Sequence, residues 1–343
     1  MFIPLFLFSL AGRRNGPAPS HRRSGLLTES FFLFFASETR RAARSLFCFR
    51  TRCDLLNFLI METGLTTHAW TSILQGLSVL LIIVSGLLGV RFLVRQHSCL
   101  RQTAFTHIAC IRKRPLEPFQ AITILGVILF FSLPVALAPA TAVAHPPRSL
   151  ASLTLNCIAY AVFGLSTCAI ALTLRKTSFR SAFLARAAPW RIAYKKGVFY
   201  GIATIAPILL LSYVCTEALA WVGVDTSSQD VFAWLDDPAL PPAGAFVISV
   251  TAILAAPITE EVMFRGILLP CALKPQRAFW PAALLIGVLF ATVHFHPASF
   301  LPLIVLSLLF SAGYAQTGSI LTPITMHALF NATSLLFFYA GFK

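Results

Sequence analysis

Eight apolar runs, each near the ~20 residues needed to cross a hydrocarbon core, leave this chain little choice of architecture. They cover residues 72–94, 120–142, 150–174, 198–222, 244–272, 279–296, 299–315 and 319–340. Only 11% of the 343 residues are charged, whereas a soluble globular chain carries about 25%. The expected fold class is all-α: a polytopic membrane helical bundle of about eight transmembrane helices. The eight cysteines form no CxxC pair and read as small apolar helix residues, not as a disulfide framework or a zinc site.

The net charge of +15 does not call for nucleic acid, because the basic residues sit in short connections between apolar runs. Arg91 closes the first run and Arg95, Arg101, Arg112, Lys113 and Arg114 follow it, while Arg175, Lys176, Arg180, Arg186, Arg191, Lys195 and Lys196 follow the third. Asp225, Asp230, Asp236 and Asp237 lie between the fourth and fifth without any Lys or Arg. Basic connections stay in the cytoplasm, so the acidic one falls outside. Glu217 is expected to reach the headgroups near the outer end of its run, and Trp221 and Trp280 suit interfacial anchors and packing roles equally.

Residues 1–60 do not match the rest. They hold nine Arg and no Lys, and their apolar bursts are too short to span. Either an Arg- and Ser-rich targeting segment or upstream sequence ahead of a true start at Met61 accounts for them. The second reading is preferred, since those arginines would otherwise fall on the outer side. Residues 61–243 are expected to form four amino-terminal helices, and 244–343 a catalytic membrane domain.

Polar residues within the last four runs carry the chemistry. Glu260, Glu261 and Arg265 interrupt an apolar stretch, where ionisable side chains are costly and mark a functional site. Glu261 and Arg265 are four apart, so they share a helix face and can pair. Glu260 lies about 100° round the same helix and stays free for other work. Phe290 and His294 share a face of the sixth run, and His327 and Asn331 one of the eighth. Separately each has an ordinary explanation: a membrane-surface salt bridge, a packed histidine, an interhelical amide. Together they are most of the polar content of three apolar helices. A working site requires the fifth helix to continue well past Glu260, since a break there would carry the acid away from His294.

In order and spacing, Glu-Glu-x-x-x-Arg (260–265), Phe-x-x-x-His (290–294) and His-x-x-x-Asn (327–331) resemble the CPBP family of CAAX proteases and bacteriocin-processing enzymes. That family is also called Abi, or type II CAAX prenyl endopeptidases. The resemblance covers residues 244–340, and the first four runs carry no motif. It implies an intramembrane glutamic-type endopeptidase acting on a membrane-associated peptide or protein. By position, Glu260 and His294 would hold and deprotonate the attacking water. His327 and Asn331 would donate to the oxyanion, and Glu261, Arg265 and Phe290 would support the site.

Elementary chemistry agrees with those roles. Hydrolysis needs a base within hydrogen-bond reach of the water and donors aimed where negative charge develops. No Ser or Cys is set by the motifs beside either histidine for a covalent route. No metal or other cofactor is expected. Two His and a Glu could bind zinc, but HExxH is absent and a His with an Asn one turn away is a poor ligand set. A proton-coupled transporter and a non-catalytic scaffold are the rival readings. The expected location is a bacterial inner membrane, a reading drawn from family breadth, with the site facing the cytoplasmic leaflet.

Overall fold

The structure, a computed structural model, describes residues 67–99, 107–136, 150–173, 176, 178, 180–184, 187–224, 230–274 and 278–341. The expectations for residues 1–60 lie outside these. The elements are α1 (Thr67–Cys99), α2 (Ile108–Arg112), α3 (Pro118–Ala136), α4 (Leu150–Thr173), a π turn (Arg180–Leu184), α5 (Trp190–Trp221), α6 (Asp230–Leu235), α7 (Pro242–Leu273), α8 (Phe279–Thr292), α9 (Pro297–Thr317) and α10 (Leu321–Ala340). No strand occurs among the described residues.

Among the described residues six helices are long and apolar enough to cross a membrane, and two shorter apolar stretches lie at Pro118–Leu129 and Phe279–Thr292. The chain is a polytopic helical membrane protein. Among the boundaries that differ from the sequence reading, α5 starts at Trp190, not near 198. Arg191, Lys195 and Lys196 therefore belong to its first turns instead of a loop. Long basic side chains allow this, because they can carry their charge to the interface from within a helix.

Helix α7 is the central rod, with α3, α4, α8 and α10 packed around it. Every residue from Thr259 to Pro270 is buried, as expected of a helix that is apolar almost all round. It runs unbroken past Glu260 but widens into π turns at Thr251–Ala255 and Val262–Leu268. Each wide turn ends two residues before a proline, Pro257 or Pro270. A proline has no N–H to give and its ring crowds the preceding turn. A shift to i→i+5 bonding absorbs that locally, and such bulges gather at functional sites.

Small residues set the helix spacing. On α5, a Cβ at Gly197 would lie 2.7 Å from Thr325 Cβ and 2.9 Å from the Thr322 carbonyl of α10. On α4, a Cβ at Gly164 would overlap the Thr259 methyl of α7. Close approach of this kind supplies the van der Waals attraction that holds helices together where lipid is as apolar as the side chains.

Candidate active site

The polar residues of α7 meet groups from four other helices. Arg265 is fully buried, and its Nη1 donates to Glu261 Oε1 at 2.8 Å. Its Nη2 donates to the Ser307 hydroxyl at 2.6 Å and to the Ser307 carbonyl at 3.1 Å. The guanidinium also lies 4.9 Å from the ring centre of Phe290 and 5.2 Å from that of Phe310. One charge is thus met by a carboxylate, two oxygens of α9 and two aromatic faces, which is how a cation becomes tolerable away from water.

The same carboxylate orients His327. Nδ1 of His327 lies 2.9 Å from Glu261 Oε1, and the imidazole stacks on Phe310 at 5.1 Å between centres. A carboxylate can only accept, so Nδ1 carries the proton and Nε2 is turned the other way. Nε2 lies 3.9 Å from Oε2 of Glu260. That is too long for a direct hydrogen bond and suits a bridging water.

Glu260 is buried, and its Oε1 accepts from the Tyr160 hydroxyl of α4 at 3.0 Å. Among the described residues, its Oε2 is buried without a hydrogen-bond partner. The two oxygens of one carboxylate therefore differ: one is tied to α4, and the other faces His327.

His294 lies two residues beyond the end of α8, where its Nδ1 meets the Phe290 carbonyl at 2.6 Å. A carbonyl only accepts, so Nε2 is left with its lone pair. Phe290 lies between the histidines, 4.7 Å from the His294 ring and 5.9 Å from the His327 ring. No hydrogen bond or ion pair joins Glu260 directly to His294 among the described residues.

Asn331 Nδ2 donates to the Ala252 carbonyl at 2.7 Å. In i→i+5 bonding that carbonyl would look to residue 257, which is proline and has no N–H to offer. Asn331 fills the gap and keeps a second N–H for other use.

His294, His327 and Asn331 line one cavity of about 190 Å3, together with Ser212, Phe232 and Ser334. Glu260 is not part of that lining and connects to it through His327. The cavity lies toward the end of α5, the start of α9 and helix α6, so it occupies the half of the bundle opposite the basic connections. This differs from the expected opening to the cytoplasmic leaflet. The reason is local: in the other half the rings of Phe264, Phe310 and Tyr314 are fully buried and fill the space between the helices.

His296 is half-buried and caps α9 by accepting from the Ser299 N–H. Glu217 and Trp221 are exposed. Tyr160, Ser307 and Phe310 were not singled out in the sequence. Tyr160 belongs to no spaced motif on its apolar helix, and no spacing rule links α4 to α7. The hydroxyl and ring of α9 look like ordinary residues of a packed span. Among the described residues no three His, Cys, Asp or Glu side chains group closely enough to hold a metal ion.

Helices long enough to span a bilayer, converging on a buried Glu-Glu-Arg-His cluster, define the class: an integral membrane protein with an intramembrane polar site. Residues 242–333 match the family model described as type II CAAX prenyl endopeptidase, Rce1-like. The match falls on the part of the chain whose three motifs resemble the CAAX proteases, and it supports an intramembrane endopeptidase there at family level. Neither the curated proteins nor the solved structures compared with the chain give a match.

Proposed function

We propose that this protein is an intramembrane endopeptidase that hydrolyses a peptide bond with a glutamate-activated water and no covalent intermediate. The unpartnered Oε2 of Glu260, 3.9 Å from His327 Nε2, carries this reading. A water there would give one hydrogen to Oε2, and the second would point toward the Nε2 lone pair of His294. As the water oxygen attacks the carbonyl carbon, its proton passes to Glu260. The carbonyl oxygen becomes an oxyanion, to which His327 Nε2–H and the second N–H of Asn331 donate. Glu260 then returns the proton to the departing amine as the C–N bond breaks.

For His327 to donate from Nε2 as well as Nδ1 it must be an imidazolium. The carboxylates of Glu261 and Glu260 face its two ring nitrogens, at 2.9 and 3.9 Å. The location proposed is a bacterial inner membrane, with the bilayer and a membrane-associated peptide as partners.

Purified full-length protein in detergent, given a transmembrane or prenylated peptide, tests the reading. Cleavage should be lost in Glu260→Ala and in His294→Ala while both variants keep the wild-type melting profile. Cleavage that survives both changes rules the mechanism out.

A further inference from the structure

We propose that water and substrate reach this site from the face of the membrane opposite the basic connections, so that the scissile bond lies in the outer half of the bilayer. The inference rests on the hydrolytic reading for what is cut, but the direction of access stands on independent observations.

The first is the position of the cavity. Ser299 is in the first turn of α9, His294 is just past the end of α8, and Phe232 belongs to α6. Ala252, ten residues into α7, is about 15 Å from that helix's start at ~1.5 Å per residue. All four lie toward one end of the bundle. The hydroxyls of Ser212, Ser299 and Ser334 also line the cavity, giving water partners on its way in.

The second is that the opposite end is closed. Below Glu261 and Arg265 come Phe264, Ile267, Leu269, Phe310 and Tyr314, each at most 1% exposed. Beyond them Arg114 spans the base of the bundle, donating to the carbonyls of Phe183 and Gly318 and covering the Tyr314 ring at 5.1 Å. A peptide cannot pass that layer without unpacking the core.

The third is charge. The closed end carries Arg112, Lys113, Arg191, Lys195, Lys196 and Lys274, and the cavity end carries Glu217, Asp236 and Asp237. Retention of Lys and Arg on the cytoplasmic side then puts the closed end inside and the cavity outside. The substrate class that follows is a membrane-anchored peptide whose susceptible bond is exposed toward the exterior, such as an exported chain or the outer end of a single span. A lipidated carboxyl terminus held at the cytoplasmic surface would meet the sealed face.

Cysteine accessibility in intact bacterial cells expressing the full chain decides the matter. Neither Ser212 nor Lys113 is in the proposed machinery, so S212C and K113C are each compared with the parent chain, using a small charged methanethiosulfonate. S212C should react fully from outside, and K113C only after permeabilisation. Reaction of S212C only after permeabilisation, or no reaction of S212C in either state, overturns the proposal; so does reaction of K113C from outside. A failed hydrolytic reading would show separately, as cleavage by Glu260→Ala, and would leave the labelling pattern untouched.

Discussion

Glu261 holds His327: its Oε1 faces Nδ1 of the imidazole at 2.9 Å and takes a second hydrogen bond from Arg265 at 2.8 Å. The second glutamate of the pair thus fixes which nitrogen of His327 faces Glu260.

Replacing Glu261 by Gln keeps the shape and removes the charge. The amide oxygen can serve Arg265 or His327 but is a weaker acceptor for both. Cleavage should fall about 10–100-fold, the range for partners that orient an imidazole through its far nitrogen in metal sites. Turnover and melting temperature of E261Q in detergent provide the check. A full-rate enzyme would remove Glu261 from the account.

Arg265 presents a stability question. Truncation to Ala leaves Glu261 buried with less to balance it, a loss of about 3–5 kcal/mol for a broken buried pair. R265A should accumulate poorly in membranes. Replacing both members with apolar residues of similar volume, E261L with R265M, should restore accumulation, because no unpaired charge remains. That double variant should still be inactive, since His327 loses its anchor. Quantitative blotting of membranes separates the two effects.

Chelation probes the one alternative chemistry that two histidines and a glutamate allow. Nδ1 of each histidine is already engaged, by Glu261 and by the Phe290 carbonyl, and Glu260 Oε1 is engaged by Tyr160. The expected result is unchanged cleavage after prolonged treatment with a strong zinc chelator and gel filtration. Loss of activity that returns on adding zinc would replace the water-activation scheme with a metal one.

Residue spacing made some of this legible and left the rest hidden. The pairing of Glu261 with Arg265 follows from a four-residue offset on one helix, and it is present even though π turns interrupt α7. The spans follow from run length alone. Contacts between helices do not follow from either. Nothing in α4 marks Tyr160 as the partner of a residue one hundred positions away. The engagement of Asn331 by Ala252 depends on a π register that Pro257 imposes, and a period of 3.6 does not show it. Loop charge gave a sidedness, but the end of the bundle at which the cavity forms depends on packing.

Tyr160 should position Glu260 for catalysis, and the approach of α4 to α7 should control how well it does so. Every tenth of an ångström there is set by Gly164, one turn along α4, whose missing side chain admits the Thr259 methyl. Y160F removes the hydrogen bond that Glu260 Oε1 accepts and leaves that oxygen unsatisfied, at about 1–3 kcal/mol. The loss should appear in kcat with little change in KM, because the ring still fills its place. G164A should reproduce that defect by pushing the helices apart, and T259S, which lacks the obstructing methyl, should relieve it in the double variant. In Y160A, added phenol should recover part of the rate where toluene does not, since only phenol carries the hydroxyl. Equal rescue by both would mean that Tyr160 acts through its bulk alone.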